Sequence, residues 1–223
     1  MACSQLRAAD ADLVGHYVGG QTVGTTLKDV SGANADMELV GAAQPETTEE
    51  NPAIVFDGSS NFLRSKQPVS NLPDFTFMVW VKPRNVEEAW GTGAANRCVI
   101  LWSESLLLTF NGGRLLFQEL VSGPGLYKSL SDVSMFQNDT WYHIALSKNG
   151  TEIKLYVNGE MTTSGDLPEF GQAVLADRGR IMIGNHNEER FSGEMNDIKV
   201  FRQALAPEMI AEEFTATSAN YPR

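Results

Sequence analysis

Residues 141–160, WYHIALSKNGTEIKLYVNGE, contain two runs of alternating residues and two tight-turn signals. In the second run Ile153, Leu155 and Val157 fall on one face and Glu152, Lys154 and Tyr156 on the other, a period of two that is typical of a half-buried strand. The Asn-Gly pairs at 149–150 and 158–159 favour the positive φ angles that two-residue hairpin turns need. This segment therefore predicts antiparallel strands with one face in a core.

Similar short runs recur between turn residues along most of the chain. The predicted strands are 54–56, 61–65, 75–81, 99–102, 106–110, 114–120, 141–147, 152–158, 180–184 and 196–201. Only PEMIAEEF at 207–214 has a helical pattern, with Pro207 in its first turn. The acidic, Pro-containing segment 41–51 is predicted to be an exposed loop. We therefore predict an all-β fold, an antiparallel two-sheet sandwich of the jelly-roll type with one short C-terminal helix.

Length and charge limit the organisation and the partners. The chain has 223 residues and a formal net charge of −11, from 17 Lys and Arg against 28 Asp and Glu. We predict one domain over residues 13–214, between tails at 1–12 and 215–223. A negative field of this size disfavours nucleic acid and anionic membrane surfaces as partners. No apolar run approaches the ~20 residues that cross a bilayer, and the first residues show no secretory signal pattern, so membrane insertion is not expected.

Three motifs resemble a known family. FDGSSNFL at 56–63, the strand pair at 141–160 and GEMNDIKVFRQAL at 193–205 occur in an order similar to that of laminin-G-like domains, which belong to the concanavalin-A-like lectin and glucanase superfamily. The resemblance covers nearly the whole chain and implies a jelly-roll sandwich. It implies little about the ligand, because one fold carries many different sites.

The resemblance also implies a calcium ion at the rim of the sandwich. The matching positions are Asp29, Asn34, Asp57 and Asp197, and oxygen ligands from such side chains suit a hard cation. The closing motif departs from the family pattern, since Asn196 stands where an acidic residue is usual. The alternative is that Asp29 and Asp57 accept hydrogen bonds from backbone amides in Asx-type turns.

The sequence offers no familiar catalytic constellation. Glycoside hydrolysis needs two carboxylates across the sugar, and the nearest candidates, Glu194 and Asp197, are three residues apart and would project from opposite faces of a strand. Nucleophile-elbow and zinc motifs are absent from the sequence, and His143 lies within a predicted strand, where a satisfied sheet histidine is expected. We therefore predict a protein that is not an enzyme.

Three loops have the composition of sugar-binding loops, in which an aromatic ring and planar polar side chains stand above a rigid sheet. The candidate ligand-binding residues are Trp90, Asn96 and Arg97 in the loop 84–97, Tyr127 in the loop 122–129, and His186, Asn187 and Arg190 in the loop 185–191. Alternatively, Trp90 covers the sandwich and the charged loops are only solvated. Trp80, Trp102 and Trp141 lie in strand patterns and are expected in the core or on a sheet face.

These observations favour a non-catalytic recognition module that binds an extracellular polysaccharide or glycoprotein glycan through its loops, with calcium as a possible cofactor. The alternative is a structural or adhesive surface, virion or matrix protein that binds protein partners or itself. A glycan-cleaving enzyme on the same fold is a third hypothesis. An extracellular or cell-surface location is expected for the first two.

Overall fold

The computed structural model describes residues 12–41, 45–46, 52–87, 98–103, 105–120, 127–166, 175, 180–187 and 189–222. The strands are β1 (Leu13–Val23), β2 (Thr26–Asp29), β3 (Met37–Val40), β4 (Pro45–Glu46), β5 (Ala53–Asp57), β6 (Phe62–Ser65), β7 (Phe75–Pro83), β8 (Cys98–Ser103), β9 (Leu106–Asn111), β10 (Arg114–Leu120), β11 (Tyr127–Ser131), β12 (Tyr142–Asn149), β13 (Glu152–Val157), β14 (Glu160–Asp166), β15 (Met182–Ile183), β16 (Asn185–His186), β17 (Glu189–Arg190) and β18 (Ser192–Phe201). The helix α1 spans Pro207–Thr217.

Most of these strands form one continuous antiparallel sheet. Its order is β11-β10-β9-β8-β15-β6-β3-β2-β1-β18-β7-β12-β13-β14, with β5 paired to β18 and β4 paired to β5. The predicted predominance of β-structure and the C-terminal helix are confirmed. The prediction of two separate stacked sheets is corrected to a single sheet that curls around its core.

The long strand β1 explains why the sheet is continuous. Its first residues pair with β18, as in Tyr17 opposite Ile198, and its last residues pair with β2, as in Thr22 opposite Leu27. The register shifts between these two parts, and such irregularities bend strands so that one strand serves both layers. The end strands β11 and β14 also approach one another, which leaves the sheet nearly closed into a barrel.

The core lies inside this curled sheet and draws on both of its halves. Phe110 and Phe117 enter it from β9 and β10, and Leu146 and Leu155 enter it from β12 and β13. All four side chains are fully buried. Alternation along the strands therefore assigns the core face as the sequence predicted, and Cys98 is buried in this core.

The C-terminal residues cover part of the outer face of the sheet. The ring of Tyr221 stacks on that of Trp80 at a centroid distance of 4.2 Å and an interplanar angle of 14°. The indole Nε1–H of Trp80 donates to Thr217 Oγ1 at 2.9 Å. The packed structure thus continues past residue 214, where the sequence placed the start of a tail. Among the described segments, none forms a helix with the length and apolar character needed to cross a bilayer.

Candidate ligand-binding surface

A small hairpin presents three of the predicted binding residues together. Strands β16 and β17 pair Asn185 with Arg190 and His186 with Glu189. The hairpin leaves the sheet at Gly184, whose φ is +81° and where a Cβ would come within 2.7 Å of the Phe56 ring. Asn187 adopts a φ of +55° in the turn, a conformation that asparagine tolerates better than most residues. Gly184 therefore allows the hairpin to leave the sheet, and Asn187 allows its tight turn.

The hairpin is held by its own side chains. His186 Nδ1 lies 3.1 Å from Glu189 Oε2, and Asn187 Nδ2 lies 3.2 Å from His186 Nε2. The Arg190 guanidinium donates to the side-chain oxygen of Asn185 and to the backbone oxygen of Asn187. These contacts organise a polar cluster of imidazole, carboxamide and guanidinium groups without help from a distant segment.

Two aromatic residues of the sheet complete this surface. The ring of His186 lies 5.7 Å from that of Trp102 in β8, and the Arg190 guanidinium carbon lies 5.5 Å from the ring centroid of Phe62 in β6. Both aromatic side chains are half-buried. We call the set Phe62, Trp102, His186, Asn187 and Arg190 the Trp102 surface.

Strand register explains why Trp102 and Phe62 share the outer face. Their neighbours Leu101 and Leu63 are fully buried in the core, so alternation directs Trp102 and Phe62 away from it. The strand β15 lies between β8 and β6, with Met182 paired to Trp102 on one side and to Arg64 on the other. The outer face therefore runs from Trp102 through Met182 to Arg64.

Two buried N–H groups at this surface have no acceptor in the described part of the chain. They are the indole Nε1 of Trp102 and the Nε of Arg190. Native proteins nearly always satisfy such groups with protein, water or ligand oxygens.

The predicted binding residues divide into three sets. His186, Asn187 and Arg190 lie together in the hairpin. Trp90, Asn96 and Arg97 lie outside the described residues, and Tyr127 begins β11, but its side chain is not among those described. The sequence missed Phe62 and Trp102 as members of a surface, because their proximity to the hairpin depends on the insertion of β15 between β6 and β8.

The aspartates predicted as calcium ligands already accept hydrogen bonds. Asp29 accepts the backbone N–H groups of His16 and Ser31 at 2.9 Å and that of Ala35 at 3.1 Å. Partial burial acts to raise the pKa of Asp29, but these bonds outweigh it and the pKa is lowered. The carboxylate oxygens of Asp29 thus accept N–H groups at the positions where a calcium ion would bind. This arrangement does not fit a calcium site at Asp29.

The carboxylate of Asp57 likewise accepts hydrogen bonds from residues of its own turn. It accepts the backbone N–H of Ser59 at 2.7 Å and that of Ser60 at 2.8 Å. Desolvation opposes ionisation, yet the hydroxyl and amide donors hold the pKa of Asp57 well below its usual range. Asp197 binds His16 Nε2 at 2.6 Å, and Asn34 is an exposed turn residue with a φ of +58°. No group of three or more His, Cys, Asp or Glu side chains in the described ranges could hold a metal ion.

We expect the melting temperature to be the same in calcium and in EDTA, because the carboxylates of Asp29 and Asp57 already accept several N–H and O–H groups of their own turns. Differential scanning calorimetry on protein purified without chelator measures this directly. A melting temperature that EDTA lowers and added calcium restores would contradict this expectation and would support the calcium prediction.

The acids considered for hydrolysis have other partners. Glu194 Oε1 lies 3.3 Å from Lys82 Nζ and 3.3 Å from a terminal nitrogen of Arg84. Asp197 binds His16 as described and lies at an irregularity in the pairing of β18 with β7. Each carboxylate is thus engaged with cationic or imidazole groups of its own. His143 is buried as expected, but its Nδ1 has no hydrogen-bond partner among the described residues, so the expectation of a satisfied histidine is corrected.

The curled antiparallel sheet with one buried core is the architecture of a jelly-roll domain. A family model described as the concanavalin A-like lectin/glucanases superfamily, of the laminin-G type, matches residues 57–211. The chain therefore belongs to the concanavalin A-like lectin/glucanase superfamily. No curated protein compared with the chain matches it in sequence.

Solved structures with the same fold include bacterial toxin domains. The receptor-binding domain of botulinum neurotoxin C/D mosaic serotype superposes with a TM-score of 0.71 at 20% identity, over 93% of this chain and 52% of that one. The binding domain of Paraclostridial Mosquitocidal Protein 1 gives 0.68 at 17% identity, over 93% and 53%. The botulinum neurotoxin DC binding domain in complex with rat synaptotagmin II gives 0.70 at 12% identity, over 94% and 52%. The chain spans about half the length of these structures, and the likeness shows a shared fold.

Proposed function

We propose that the protein is a non-catalytic carbohydrate-binding module and that the Trp102 surface is its binding site. The observation that carries the proposal is the contact of the Trp102 indole with the His186 ring, beside the carboxamide of Asn187 and the guanidinium of Arg190. An aromatic face provides apolar contact area, and adjacent planar donors and acceptors fix the orientation of hydroxyl groups.

The rigidity of the surface supports a binding role. Trp102 and Phe62 stand on strands of the sheet, and the hairpin is cross-linked by the hydrogen bonds of Arg190. A preformed surface loses little conformational entropy when a ligand binds. A shallow site of this kind has modest affinity by itself and reaches high avidity through repeated ligands, as polysaccharides and glycoprotein glycans provide. An extracellular or cell-surface location is part of this proposal.

Replacing Trp102 by alanine is expected to reduce glycan affinity at least about tenfold, because the largest apolar contact of the surface is removed. Because Trp102 is half-buried, a second variant tests the same site with less disturbance of the fold. Asn187→Gly keeps a residue that tolerates positive φ and removes only the carboxamide. Affinity is measured by isothermal titration calorimetry with the tightest ligand from a glycan array.

Asn34→Gly is the matched control, because Asn34 is also an exposed asparagine with positive φ and does not belong to the Trp102 surface. We expect Asn34→Gly to bind like the unmodified protein and Asn187→Gly to bind more weakly. Equal glycan affinity in all variants would show that the Trp102 surface is not the binding site. A stable oligomer that binds no glycan would favour the structural or adhesive alternative.

A further inference from the structure

The C-terminal segment that covers part of the outer face of the sheet is weakly built. Its helix α1 has 11 residues, and Ile210 is the only one of them that is buried. Ala206 provides no side-chain cap at the start of the helix, and the last turn contains no basic residue. Isolated helices of this length are marginal in water, so α1 depends on its contacts with the sheet. We call residues 207–221 the C-terminal cover.

The C-terminal cover meets an aromatic face of the sheet. The ring of Phe214 lies 5.8 Å from that of Trp80, on which Tyr221 also stacks. Tyr221 contacts the ring of Trp141 edge-on at a centroid distance of 5.0 Å. Thr217 accepts the indole N–H of Trp80. These contacts engage a small part of the fold, and elements with few buried residues open before the core does.

A histidine in apolar surroundings lies under this cover. His143 is 3% exposed, and its ring lies 5.3 Å from that of Trp80 and 6.0 Å from that of Phe214. Its Nδ1 has no hydrogen-bond partner among the residues that the structure describes. A neutral imidazole tolerates such surroundings, whereas an imidazolium needs water or an acceptor for both of its N–H groups. The docked cover therefore favours the neutral form of His143.

Three charged groups act on His143, two from β18 and one from the cover. Burial is the main cause that lowers the pKa of His143 to about 4; Lys199 acts with it, whereas Asp197 and Glu213 act against it. Both acids are engaged elsewhere, since Asp197 lies 2.6 Å from His16 Nε2 and Glu213 Oε2 lies 2.7 Å from Lys199 Nζ. The aromatic rings packed against the imidazole carry no charge. Access of water is therefore what protonation of His143 requires.

We propose that acid releases the C-terminal cover, so that residues 207–221 form a pH-sensitive lid over the aromatic face of Trp80 and Trp141. Release admits water to His143, whose pKa then returns to its ordinary value. Because the open state binds this proton more tightly, a fall in pH shifts the equilibrium toward opening. With pKa values of 6.5 when open and about 4 when docked, the open population rises about 20-fold between pH 7 and pH 5.

Hydrogen-exchange mass spectrometry of the whole chain at pH 7 and pH 5 tests the proposal, with rates corrected for the intrinsic pH dependence of amide exchange. We expect the amides of α1 to be less protected than those of β9 and β10 at both pH values, because the cover opens without the core. We also expect the protection of α1 to fall about 20-fold at pH 5. This comparison within one protein needs no variant.

Three variants assign the pH dependence to one group. His143→Phe keeps a ring beside Trp80 and Phe214 that does not titrate, so the protection of α1 should no longer depend on pH. Thr217→Ala removes the acceptor of the Trp80 indole and should lower the protection of α1 by the same factor at both pH values. Glu213→Gln removes the acid of the cover that acts on the imidazole and should preserve the pH dependence.

Equal protection of α1 and the core strands would show that the cover opens only when the whole fold unfolds, and it would overturn the proposal. Protection of α1 that is the same at pH 7 and pH 5 would also overturn it. A pH dependence that persists in His143→Phe, or disappears in Glu213→Gln, would show that another group is the sensor. A dependence that is lost in His143→Phe alone supports the pH-sensitive lid.

Discussion

Gly193→Ala is expected to lower the free energy of unfolding by at least about 3 kcal/mol, because its backbone and its surroundings both exclude a side chain. Gly193 has a φ of +138°, and a Cβ there would lie 2.2 Å from the backbone oxygen of Lys82 and 3.0 Å from the Cα of Pro83. Neither backbone atom can move aside as a flexible side chain would. Because β18 pairs with β5 and β7 at this point, both pairings would have to shift.

Gly150→Ala separates the cost of a positive φ from the cost of the steric clash. Gly150 also has a positive φ, +57°, but nothing lies within 4 Å of a Cβ built on it. We expect this control to cost only about 1 kcal/mol, the conformational part of the effect. Urea denaturation of both variants measures the difference. Equal losses of unfolding free energy in the two variants would contradict the close approach of β18 to β7 at Gly193. They would also contradict the position of the β16–β17 hairpin, which precedes β18 in the chain.

Stability is expected to fall by about 3 kcal/mol as the pH is lowered from about 6.5 to about 4, because of His143. Burial is the main cause that lowers the pKa of His143 from 6.5 to about 4; Lys199 acts in the same direction, whereas Asp197 and Glu213 act against it. In this interval the unfolded chain binds a proton at His143 and the folded protein does not. The contribution is therefore complete above pH 6.5 and is lost as the pH falls toward 4.

His143→Phe tests this assignment, because a phenyl ring occupies similar space beside Trp80 and does not titrate. The difference in unfolding free energy between the two proteins should change with pH between 6.5 and 4, while contributions from the other histidines cancel. Chemical denaturation at several pH values measures that difference. A difference that is constant over the interval would show that His143 is protonated in the folded protein.

Much of the strand pattern was predictable because alternation and turn residues act locally. Strand β13 turns Ile153 and Leu155 into the core as predicted, and the turn at Asn158 adopts the positive φ that its Asn-Gly pair favours. The opposite face is not solvated throughout as predicted, because Tyr156 is fully buried in a cluster with Ile210 of α1. The sequence missed β1, whose glycines at 19 and 20 interrupt the alternation, and it missed the continuous sheet that β1 creates. It also treated 41–51 as a loop, although Pro45–Glu46 pairs with β5.

The hairpin was predictable for the same local reason, whereas the rest of the surface was not. His186, Asn187 and Arg190 follow one another closely, so their composition alone indicated a polar loop. Trp102 and Phe62 belong to strands that are distant in sequence and are joined by β15. No local pattern specifies the pairing of strands that are not consecutive, since it depends on how the whole sheet closes.

The central claim is that a glycan binds beside Trp102, and NMR spectra of protein with 15N-labelled tryptophan test it most directly. The chain has four tryptophans, and the tightest ligand from the glycan array is added until binding is saturated. We predict that the indole N–H signal of Trp102 shifts while those of Trp80 and Trp141, buried beneath Tyr221, stay in place. Shifts confined to Trp80, Trp141 or Trp90, with Trp102 unchanged at saturation, would contradict the claim.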